Sequence, residues 1–147
     1  MSRDLYSLLK QNNSYLQEAF KHYSLAAHDE GLRKFLNSMQ SQEKSQQETV
    51  DEHAAELSSC SAQTKTITAL VSQISDISIA LEELTRLPRL KYLEHMLKIG
   101  EYTGRLYFEC EAVCQSHRLK ELLHSLYEEE KRHVALLEDR FELEQLL

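Results

Sequence analysis

Apolar residues fall at Leu5, Leu9, Leu16, Phe20, Tyr23 and Ala27, at steps of three, four or seven. This spacing predicts one face of a helix from about Asp4 to Glu30, with Gly31 as the expected stop. A second stripe runs through Leu32, Phe35, Leu36, Met39, Val50, Ala54 and Leu57, and Glu43 and Gln46 occupy the same face between Met39 and Val50. From Ser58 to Thr66 the chain turns small and polar. Helical spacing then resumes in Ile67, Leu70, Val71, Ile74, Ile77, Leu81 and Leu84. Ser72 to Ile79 is rich in isoleucine and serine, which form helix weakly, so this connecting helix is not expected to run unbroken. Pro88 suits the first turn of the next helix, whose apolar side carries Leu93, Leu97, Leu106, Tyr107, Cys110 and Cys114 and which should end near Ser116. The last helix begins at about Arg118 and turns Leu119, Leu122, Leu123, Leu126, Glu130, His133, Leu137 and Phe141 inward.

These elements repeat. Sliding the chain on itself by about 87 positions brings Tyr15 onto Tyr102, Leu32 onto Leu119, Leu36 onto Leu123, Ser38 onto Ser125 and Glu43-Lys44 onto Glu130-Lys131. Phe20 falls on Tyr107, Arg33 on Lys120, Phe35 on Leu122 and Met39 on Leu126. The expected architecture is therefore all-α, a single domain over residues 1–147. It has hairpin 1 at about 4–58, a long, partly helical crossover at about 59–87, and hairpin 2 at about 88–146. Two hairpins joined by a long crossover suit a ferritin-like four-helix bundle.

Composition supports long helices, since only three glycines and one proline punctuate 147 residues. Charge narrows the partners: 17 basic against 24 acidic residues leave a net charge of −7, spread along the chain. Without a clustered basic stripe to displace counterions, nucleic acid is not an expected partner. No leader-like apolar run opens the chain and no stretch is long enough to span a bilayer, so a cytoplasmic protein without a membrane partner is expected. Three cysteines, Cys60, Cys110 and Cys114, fit a reducing compartment. No glycine-rich phosphate loop, G-x-S-x-G elbow or C-x-x-C pair is present, and no catalytic residue is assigned.

Chemistry concentrates in the second hairpin. Glu130-Lys-Arg-His133 has E-x-x-H spacing, which puts a carboxylate and an imidazole one turn apart on one helix face, here the inward one. Burying a carboxylate among Leu126 and Leu137 is costly unless it is paired, hydrogen-bonded or bound to a metal. Cys110, Cys114 and His117 have a spacing that could contribute to a zinc site but lack a fourth ligand, and two packed core thiols are the simpler expectation. His53 lies near the polar stripe as a distant substitute ligand. His22, His28, His95 and His124 read as surface or boundary residues.

The segment from Leu119 through Glu130-Lys-Arg-His133 resembles the last metal-bearing helix of rubrerythrin-type ferritin-like proteins, and the likeness extends over nearly the whole chain. That resemblance implies a four-helix bundle holding two irons through a lone Glu on each first helix and E-x-x-H on each second helix. Carried over by position, the second helices supply Glu130 and His133 in one repeat and Glu43 and Gln46 in the other. The lone carboxylates fall at Asn13 and Gly100, with Glu101 beside the latter. The implied di-iron site is thus incomplete. Two arrangements follow. In one, Glu43, Glu130 and His133, with Glu101 rotated inward, hold a single iron, manganese or zinc and support peroxide- or oxygen-linked oxidoreductase chemistry. Its electrons would come from an external redox partner, because the four-cysteine iron module of full rubrerythrins is absent. In the other, Gln46, Asn13 and a tyrosine such as Tyr107 satisfy the carboxylates as a hydrogen-bonded layer, and the protein is a non-catalytic helical binding or structural module. By analogy with the family, a homodimer is expected.

Overall fold

Residues 4–147 are described in a computed structural model of the chain. The helical periodicity is realised as α1 (Leu5–Ala26), α2 (Glu30–Glu52), α3 (Ala54–Ser58), α4 (Lys65–Ile77), α5 (Leu81–Leu84), α6 (Arg89–Val113) and α7 (His117–Leu146). No strand occurs among the described residues. Short polar side chains set the helix starts: Asp4, Asp29, Thr64 and Ser116 accept the backbone N–H of Ser7, Leu32, Ile67 and Leu119. Each such cap contributes on the order of 1 kcal/mol.

The first helical turn of the chain reverses earlier than its glycine suggests. α1 ends at Ala26, Ala27 is extended, and Asp29 restarts the chain at Glu30, so Gly31 lies inside the first turn of α2. No glycine among the described residues adopts the left-handed conformation that a glycine stop uses. The decisive residue is the N-cap Asp29. α2 in turn is interrupted at His53, whose ring Nδ1 lies 3.0 Å from the Thr49 carbonyl, before the short α3.

The chain divides into two compact units, each assembled from two separate stretches. The first comprises residues 4–60 and 79–86. Here α1 packs against α2, α3 and α5. Leu5, Leu9, Leu16, Phe20, Leu36 and Met39 are all but inaccessible to solvent. Polar bonds fix the ends: Leu5 N–H donates to the Cys60 carbonyl at 3.0 Å, the Tyr6 hydroxyl donates to Asp51 at 2.8 Å, and Arg33 donates to the Ala27 carbonyl at 2.6 Å.

The second unit comprises residues 61–78 and 87–147. α6 packs along α7, and α4 packs on α6. Tyr92, Leu93, Met96, Ile99, Tyr107, Cys110 and Leu123 form its dry interior. The open end of the hairpin is tied by Glu144, whose carboxylate is 2 % exposed and meets Arg89 Nε at 2.9 Å and Arg140 at 2.7 Å. Arg89 also donates to the Glu144 carbonyl.

The crossover is therefore not one helix. It breaks at Ser78–Ala80, within the serine- and isoleucine-rich stretch, and its two pieces belong to different units. α5 is held in the first unit by Tyr15, whose hydroxyl donates to the Ile79 carbonyl at 2.9 Å and accepts the Ile79 N–H at 3.2 Å. Among the described residues no helix is long and apolar enough to cross a membrane.

Candidate metal centre

In the first unit, the polar interruption of the α2 stripe is turned inward. Glu43 follows Met39 by four residues and Gln46 precedes Val50 by four, so all share one face. Glu43 and Gln46 are each 1 % exposed. Gln47, at the edge of this face, donates to Asp51 at 2.8 Å. From α1, Asn13 is fully buried and Asn12 nearly so.

In the second unit, Glu130 and His133 are buried on α7, as E-x-x-H spacing on the Leu126–Leu137 face requires. His133 Nδ1 lies 3.4 Å from Glu130 Oε2, an electrostatic approach longer than a good hydrogen bond. Glu130 Oε2 is buried without a hydrogen-bond partner among the described residues. A buried carboxylate oxygen in that state is costly, and a cation would relieve it.

The α6 side of this unit holds no carboxylate at the position implied for one. Gly100 is buried, and a Cβ placed on it would lie 3.0 Å from Val134 Cγ2 and 3.7 Å from Glu130 Oε1. Glycine is what lets α6 approach α7 here. Glu101, expected to rotate inward, is instead exposed: one residue is a turn of about 100° on a helix, and that carries its side chain off the face that Gly100 occupies. Thr103 is buried and donates to the Ile99 carbonyl at 2.8 Å.

The remaining candidates disperse. Cys110 and Cys114 are buried, whereas His117 is exposed and pairs with Glu121 at 2.9 Å, so the three do not converge. His53 is half-buried at the α2 break. His22 faces Glu18, and His124 sits between Glu111 and Glu128. His95 is half-buried, and burial, reinforced by Lys98, holds its imidazole below the ordinary 6.5. The buried carboxylate of Glu144 had a signal in the sequence, namely its place seven residues after Leu137 on the inward α7 face.

Buried side chains of carboxylate or imidazole type that could serve a metal are thus Glu43 in the first unit and Glu130 and His133 in the second. Two irons do not fit this set. The positions implied for the missing ligands hold an amide at Asn13, an amide at Gln46 and, at Gly100, a space that Val134 already fills.

Fold and site together define an all-α protein of two helical units, each with polar side chains buried on one face of a long helix. No family model, curated protein or solved structure matches the chain.

Proposed function

We propose that the chain is a non-catalytic helical binding module, in which a ferritin-like pairing of the two hairpins encloses a polar layer that has lost its di-metal role. The observation that carries this reading is the identity of the buried residues at the implied ligand positions: Asn13, Gln46 and Gly100 bring no charge. Amides donate and accept at once, so neutral side chains of this kind can occupy a buried polar layer without a cation to balance them. Such a layer fixes the register of the hairpins, the best-attested use of buried polar groups.

A second reading is favoured by the unsatisfied Glu130 Oε2. In it the repeat brings Glu43 to Glu130 and His133, and the three hold one iron, manganese or zinc ion. Any redox chemistry would then draw electrons from a separate protein.

Metal analysis and thermal unfolding separate the two. The first reading expects protein purified without chelator to be metal-free and its melting temperature to be indifferent to added Fe(II), Mn(II) or Zn(II). One equivalent of metal, lost in both Glu130→Gln and His133→Gln, would establish the second reading and reject the first.

A further inference from the structure

The second unit presents a surface on α6 that is unsatisfied in a self-complementary way. Arg105 and Glu109 lie one turn apart, flanking Phe108, and among the described residues neither forms an ion pair. Arginine placed N-terminal to glutamate at this spacing is the weaker orientation for an intrahelical pair, and Arg105 instead lies over the Tyr102 ring at 5.3 Å. Phe108 is 53 % exposed, with its ring 5.5 Å from that of Tyr127. Beside it opens a mostly apolar groove of about 320 Å³, walled by Thr66 and Leu70 of α4 and by Tyr127 of α7. One turn further, the exposed Ala112 leaves room for another backbone to approach.

We propose that this face binds a second copy of the chain, α6 against α6 in antiparallel orientation about a two-fold axis near residue 107. Under that symmetry Arg105 of each copy meets Glu109 of the other, so both ion pairs form together, and the two Phe108 rings are covered across the axis. Each copy carries a net charge of −7, so random association is repulsive and a contact that matches opposite charges is selected. The proposal deepens the binding-module reading by naming the partner. It is tested by oligomeric state, which does not depend on the outcome of metal analysis.

Sedimentation equilibrium of the full chain over a wide concentration range should show a reversible monomer–dimer equilibrium. R105E and E109R each place like charges opposite one another twice and should weaken the dimer about ten-fold or more. The R105E/E109R double variant restores both pairs in reversed sense and should dimerise again. R105E mixed with E109R should give a heterodimer tighter than either homodimer. Circular dichroism, and melting temperature measured at concentrations where wild type is monomeric, should be unchanged in all three variants because these side chains lie at the surface, and serve as the control for folding. A wild-type monomer at every concentration overturns the proposal, as does a dimer indifferent to the single reversals or not recovered by the double one.

Discussion

Two glycines a turn apart on α6 illustrate how neighbouring positions can have opposite requirements. Around Gly104 nothing lies within 4 Å of where a Cβ would be, whereas at Gly100 Val134 Cγ2 is at 3.0 Å. Gly104→Ala should therefore stabilise the protein by up to about 1 kcal/mol, the helix-propensity gain alone. Gly100→Ala should lose that gain and destabilise by about 1 kcal/mol, because Val134 is β-branched and confined to one rotamer on a helix. Denaturant midpoints at unchanged m-value measure both, and adding Val134→Ala should recover the Gly100→Ala loss. His95 gives a residue-level pH response. Its imidazole is held below 6.5 by burial, so the folded state resists the proton that the unfolded state takes up. Its contribution is complete above about pH 6.5 and fades as pH falls through that value toward the lower folded one. His95→Gln should flatten the fall in melting temperature between neutral and mildly acid pH, and a variant as steep as wild type would rule the effect out. At this scale the sequence located Glu43, Gln46, Glu130 and His133 as inward residues, since each shares the period of its apolar neighbours, whereas Asn13 was pointed to only through the family resemblance. Glu101 misled because proximity in sequence is not proximity on a helix face. Glu144 escaped because a carboxylate in an acidic terminal turn reads as solvated until Arg89, distant in sequence, is seen beside it.

At the scale of elements, apolar periodicity identified the long helices, and their ends were decided by caps. Asp29 shows why: an N-cap acts through one side-chain bond to Leu32 N–H and leaves no trace in the hydrophobic stripe. The break at Ser78–Ala80 was legible because β-branched and hydroxyl residues weaken a helix that nothing else secures. Its position was not, because the partner that receives it is Tyr15, 64 residues away. This hydroxyl both donates to the carbonyl and accepts from the N–H of one residue, as a neighbouring strand would. Burial raises the Tyr15 phenol above its ordinary 10.0, partly offset by the Ile79 bond. Tyr15→Phe keeps the ring and removes both hydrogen bonds, which should cost about 1 to 2 kcal/mol. Hydrogen exchange of the Ile79 amide should accelerate more than that of the α1 core amides. Equal acceleration throughout would mean that the bond supports the whole unit rather than the junction.

On the scale of the molecule, neither unit is a continuous length of chain. Hairpin 2 alone lacks α4, whose Ile67 and Leu70 are buried and which packs on α6. A fragment spanning 61–147 should accordingly hold more helix per residue and melt more cooperatively than one spanning 87–147, as measured by circular dichroism. Equal behaviour of the two would show that α4 is dispensable. The repeat made two hairpins legible, since duplicated stripes survive in both. The allotment of the crossover between them was hidden, because short amphipathic segments such as α4 and α5 can cover any apolar surface within reach.

That allotment has a consequence for synthesis on the ribosome. The chain emerges in order, so the first unit lacks its closing piece, α5, until α4 has been made, and α4 in turn must wait for α6 to receive it. During that interval Ile67 and Leu70 are uncovered in the nascent chain, and exposed apolar surface of this kind is where aggregation begins. The vulnerable moment in the life of this protein therefore falls midway through translation, and slow elongation through residues 79–113 would lengthen it.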